Sequence, residues 1–147
     1  MSKLRAFWES FFVLILIFVL HFLGSYFNWY WTYKWFDIPM HFLGGIWIAL
    51  TALWIFCYYG HINSIINYKT KTLLIVLSAI FTIGIAWEIF ELLGKITFLD
   101  DTGYWSDTLG DITNDFLGGM VAYFYFIRGK KCSNESVCDP KSGEKCN

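Results

Sequence analysis

Four stretches of this chain are each long and apolar enough to cross a lipid bilayer: Ala6 to Phe27, Ile38 to Tyr59, Thr72 to Leu93 and Thr108 to Ile127. A helix rises about 1.5 Å per residue, so a hydrocarbon layer of about 30 Å calls for roughly 20 mostly apolar residues. The composition agrees, with 56% hydrophobic and only 16% charged residues in 147, where a soluble domain carries about a quarter charged. A soluble enzyme is excluded. A net charge of -1 with both signs sparse also excludes the basic footprint of a nucleic-acid binder. The expected fold is all-α: a polytopic membrane protein with four transmembrane helices over residues 1–128, followed by a polar, disordered cytoplasmic tail over 129–147. The tail cysteines Cys132, Cys138 and Cys146 match no zinc-ligand spacing and are expected as reduced free thiols. Cys57, inside the second span, is expected as a small packing residue.

Short loops rich in lysine and arginine stay in the cytoplasm. Placing the N-terminus inside leaves nine basic residues on that side and only Lys34 and Lys95 outside. Both termini are therefore expected to be cytoplasmic. At the outer interface, the eleven residues from Tyr26 to Phe36 are aromatic except for Asn28, Thr32 and Lys34. Such amphipathic rings favour the headgroup layer, so this connection is expected along the membrane surface.

The chain also repeats itself. Asp37-Ile38-Pro39-Met40-His41-Phe42-Leu43-Gly44-Gly45 and Asp111-Ile112-Thr113-Asn114-Asp115-Phe116-Leu117-Gly118-Gly119 share Asp-Ile and Phe-Leu-Gly-Gly in register. The reading that follows is two pseudo-repeated hairpins, spans one with two and three with four, and sites often lie at the interface of such repeats. Coincidence in a chain rich in Phe, Leu and Gly is the alternative. Positions three and four apart share one helix face, so Asp37, His41, Gly44 and Gly45 form one stripe and Asp111, Asp115, Gly118 and Gly119 another. Glycine pairs let transmembrane backbones approach closely. Spans two and four are thus expected to touch at their glycines and to open above them into a carboxylate-lined funnel.

Glu88 and Glu91 close the third span on the face that carries Gly84, and eight of the twelve acidic residues fall on or near the outer half. Ionisable groups inside a span cost at least about 2.5 kcal/mol each and normally face a cavity. Several carboxylates at one depth require either protonation or a cation among them. A divalent cation (Zn, Mn, Fe or Mg) is the expected cofactor, with His41, Glu88, Glu91, Asp111 and Asp115 as its ligands. Asp37, Asp107 and Trp87 are expected to bind at the mouth. Structural readings stand beside these. Asp37 and Asp107 suit helix caps, and the deeper acids suit a hydrogen-bonded network holding helices together. His21 suits helix packing, and Glu9 a side chain reaching for the interface.

The succession of Asp-x3-His opening one span, Trp-Glu-x2-Glu closing the next and Asp-x3-Asp-x3-Asp-x2-Gly-Gly opening the last resembles the YjdF-like bacterial inner-membrane proteins. It resembles more distantly the VanZ-like membrane proteins linked to glycopeptide-antibiotic resistance. The likeness covers roughly Asp37 to Ala122. It implies a small multi-pass protein of the bacterial plasma (inner) membrane, with no established chemistry to carry over.

Three functions fit these observations. One is a metal-dependent enzyme acting on lipid headgroups or lipid-linked cell-wall intermediates, with Glu88 as general base. The second is a module whose acidic funnel holds a cationic or polar ligand without chemistry. The third is a cation-coupled transporter subunit, which would need oligomerisation to form a conduit. The signatures Gly-x-Ser-x-Gly and His-Glu-x2-His of known hydrolases do not occur. An integral membrane protein with a cation-binding polar site is the reading favoured by sequence, with catalysis left open.

Overall fold

The computed structural model describes residues 3–59, 68–93 and 104–128, and every extended element in them is helical. Helix α1 covers Lys3–Tyr26, a single turn α2 covers Trp29–Thr32, and α3 covers Asp37–Tyr59, entered through a 3-10 turn at Lys34–Phe36. Helix α4 covers Tyr68–Leu93 and α5 covers Tyr104–Arg128. The expected tail with its three cysteines lies outside the described residues.

Helices α1, α3 and α4 are long and apolar enough to span a membrane, over Arg5–Tyr26, Asp37–Phe56 and Tyr68–Leu93. Helix α5 has the length but a more polar composition, because Asp107, Asp111 and Asp115 occupy its first half. Three spans therefore stand on length and composition alone.

Neighbouring side chains give the relative directions. The Phe7 ring meets Trp54 at 5.4 Å between centroids, and the Ser10 and Thr51 hydroxyls share a 2.7 Å hydrogen bond, so α1 runs antiparallel to α3. Ile80 packs on Gly119, while Thr108 near the start of α5 reaches Glu88 near the end of α4. Helices α4 and α5 are therefore antiparallel too. Along α3 the buried residues are His41, Gly45, Ala49, Leu50 and Leu53, and along α5 they are Asp111, Asp115, Gly118, Gly119, Ala122, Tyr123 and Phe126. The two stripes advance together from polar through glycine to apolar, as parallel helices require. The apolar ends merge with Val76 and Ile80 of α4 into one core.

Helices α3 and α5 cross at their glycines. A methyl group on Gly45 would collide with the backbone of Asp115, and one on Gly118 with the carbonyl of Phe42. Lipid tails are as apolar as leucine, so helices in a bilayer associate through close packing, and small residues at the crossing permit it. At the end remote from this crossing, Tyr125 donates to Glu9 Oε1 at 2.8 Å, and Arg5 Nε pairs with the same oxygen at 2.8 Å. Glu9 thus clasps α1 to α5, where sequence alone left it reaching for the interface.

The aromatic connection between α1 and α3 turns at Asn28, whose φ of 56° is left-handed, a conformation that asparagine tolerates better than most residues. Phe36 folds back to meet Trp29 and Tyr30 edge-on, at 5.4 and 5.0 Å between centroids, while Trp31 remains 86% exposed.

Gly45→Ala and Gly118→Ala are each expected to destabilise the protein by about 1–3 kcal/mol, because the colliding atoms are backbone and cannot rotate away. Gly110→Ala, with nothing within 4 Å, should be neutral or stabilising by about 0.5–1 kcal/mol. Thermal unfolding of detergent-solubilised variants checks the order.

Candidate functional site

At the end where α3 and α5 begin, the two polar stripes face each other just above the glycine crossing. His41 comes from α3 one turn before Gly45, and Asp111 and Asp115 come from successive turns of α5. All three are buried, with 8%, 6% and 6% of their surface exposed. The imidazole sits between three carboxylates. Its Nε2 lies 3.6 Å from Asp37 Oδ2 and 3.7 Å from Asp111 Oδ1, and its Nδ1 lies 3.5 Å from Asp115 Oδ1. These separations exceed the roughly 2.7–3.2 Å of an ordinary N–H···O hydrogen bond.

Asp37, His41 and Asp111 each offer one ligand atom, and the three atoms lie within 4.8 Å of one another. Their donor set, one imidazole nitrogen and two carboxylate oxygens, suits a first-row divalent ion. Asp37, which the sequence reading set at the mouth, has its side chain 38% exposed beside the buried imidazole. Asp115 stands behind the imidazole. A methyl on Gly44 would lie 3.6 Å from its Oδ1 and one on Gly84 would lie 3.4 Å from its Oδ2, so the carboxylate rests against bare glycine faces of α3 and α4.

The two glutamates of α4 are placed differently. Glu88 is buried and accepts a 2.8 Å hydrogen bond from Thr108 Oγ1. Glu91 accepts from Trp87 Nε1 at 2.8 Å, within one helical turn and next to an indole that is 47% exposed. Neither belongs to the three-residue ligand group. Asp107 is exposed in the first turn of α5, a position where a carboxylate favours the helix dipole. Thr108 is the partner that sequence reading missed, and its signal was positional: it shares one helix face with Asp111 and Asp115 at spacings of three and seven.

A second polar contact lies beside the site. His21 Nδ1 and the Tyr30 hydroxyl are 2.9 Å apart. Burial, reinforced by the negative charge of Asp37, pushes the Tyr30 phenol up to about 12, so it remains neutral at physiological pH.

These features define a multi-pass, all-helical membrane protein with a buried His/Asp cluster at one end of the bundle. The family comparison is consistent with that class. The chain belongs to the family DUF2238, described as predicted membrane proteins, whose model matches residues 2–131. This is the YjdF-like family that the motifs resemble. No curated protein and no solved structure matches the chain.

Thr108→Val should cost about 1–3 kcal/mol, because it leaves a buried carboxylate without its donor. Chemical or thermal unfolding of the variant, compared with Thr113→Val on the exposed side of α5, measures the difference.

Proposed function

We propose that this protein is a four-span membrane protein that holds a divalent cation at the outer end of its bundle, with Asp37, His41 and Asp111 as ligands. One observation carries the reading: a nine-tenths-buried imidazole aims Nε2 at two carboxylate oxygens that stand 3.6 and 3.7 Å away. Ligand atoms about 2.1 Å from a tetrahedral ion stand about 3.4 Å apart, close to these separations. Their spacing suits a shared ion better than direct hydrogen bonding. Glu88, held by Thr108 one turn before Asp111, is the candidate general base should the ion activate water for attack on a lipid headgroup or lipid-linked intermediate.

Helix α5 is the fourth span in this reading. It runs parallel to α3 from Asp111 to Phe126, and its polar face is turned inward on His41 and Glu88, so its composition understates its fitness for lipid. Nine basic residues against two then set the site end outward, with both termini cytoplasmic. The bacterial inner membrane is the location that the family resemblance suggests.

Metal analysis of detergent-purified protein tests the proposal. Wild type should retain about one Zn²⁺ or Mn²⁺ per chain after gel filtration, and His41→Ala and Asp111→Asn should each lose it while staying folded. Folded wild type that takes up neither ion in titration overturns the proposal and leaves the cluster as an ion-pair network joining α3 to α5.

A further inference from the structure

Helix α1 packs on α3 rather than on α5, and the clasp of Arg5, Glu9 and Tyr125 bridges α1 to α5 at the end remote from His41. Between the two helices lies an open groove of about 780 Å³, within the roughly 300–1,000 Å³ usual for small-molecule sites. Phe12, Val13 and Ile15 of α1 and Leu50 of α3 line it. Its charged groups, Arg5 and Glu9, stand together at the clasp.

Length and polarity both select the occupant. From Arg5 to Ile15 the helix climbs about 15 Å, half of a hydrocarbon layer of about 30 Å. The groove therefore has the depth of one leaflet, polar where the headgroups lie and apolar where the chains lie. Charge selects the headgroup. The Arg5 side chain is 66% exposed, while that of Glu9 is mostly covered at 24%. Arg128, also exposed, ends α5 three residues beyond Tyr125. The accessible surface at this end is thus cationic, and a guanidinium matches the geometry of a phosphate.

We infer that the groove between α1 and α5 binds an anionic phospholipid of the leaflet at the Arg5 end, with its phosphate on Arg5 and one acyl chain along Phe12, Val13 and Ile15. The inference stands apart from the cation reading, because the groove and the His41 cluster occupy opposite ends of the bundle.

Photo-cross-linking of the full chain in nanodiscs tests it. The discs hold equal phosphatidylglycerol and phosphatidylcholine, with a photoactivatable acyl chain on one lipid at a time. Phosphatidylglycerol should label the groove-lining peptides of α1 and α5 more heavily than phosphatidylcholine. Around Phe81 and Ile83, on the exposed face of α4, the two lipids should label equally. Arg5→Gln should lower the phosphatidylglycerol preference about fivefold, as expected for one basic residue near the surface, and Arg5→Lys should lower it less. Ile15→Trp, at a half-exposed position, should fill the groove and displace both lipids, whereas Ile83→Trp should not. Equal labelling of the groove by the two lipids overturns the inference, as does a preference unchanged in Arg5→Gln or labelling undiminished in Ile15→Trp. The same phosphatidylglycerol preference around Phe81 would mark ordinary solvating lipid and equally overturn it.

Discussion

The structure depends on how closely α3 and α5 approach. Without side chains at Gly45 and Gly118, the backbone of one helix meets the backbone of the other. In lipid this contact cannot draw on the hydrophobic effect, so it relies on packing that any added methyl would remove. Everything above the crossing inherits its geometry. His41 precedes Gly45 by one turn, and Asp115 precedes Gly118 by three residues, so the contact that joins the glycines also seats the imidazole among carboxylates.

Such a cluster is costly in a membrane, and the bundle is arranged to contain it. Asp111 and Asp115 of α5 turn inward to α3 and α4, while Phe116, Leu117, Val121 and Phe124 face outward and are exposed. Helix α4 completes the wall, with Thr72, Val76, Ile80, Gly84 and Glu88 as its buried residues. Glycine at position 84 leaves room for Asp115, and Glu88 one turn further is satisfied by Thr108. Three helices thus contribute small or polar residues at one level and bulky apolar ones below it. The result is a buried polar cluster over an apolar core.

Much of this was legible in the sequence, for physical reasons. The four helices follow from run lengths, and the convergence of His41 with Asp111 and Asp115 follows from two stripes that share a Gly-Gly pair. Less legible was rotation at a helix end. The buried face of α4 repeats every fourth residue, so the position after Glu88 in that register is Leu92, and Glu91 falls to the side where Trp87 meets it. Thr108 was overlooked because a hydroxyl beside aspartates carries no charge signal. The polar stripe of α5 also lowers its apolar character, because composition counts acids without knowing which way they face.

Oxidative cross-linking tests the central crossing most directly. In a chain whose native cysteines are replaced, Gly44→Cys and Asp115→Cys place two thiols on facing surfaces of α3 and α5. The account predicts a rapid intramolecular disulfide in membranes, identified by mass spectrometry of the joined peptides. Thiols that stay free under the same oxidation, in protein shown to be folded, would contradict the parallel α3–α5 contact on which the site rests.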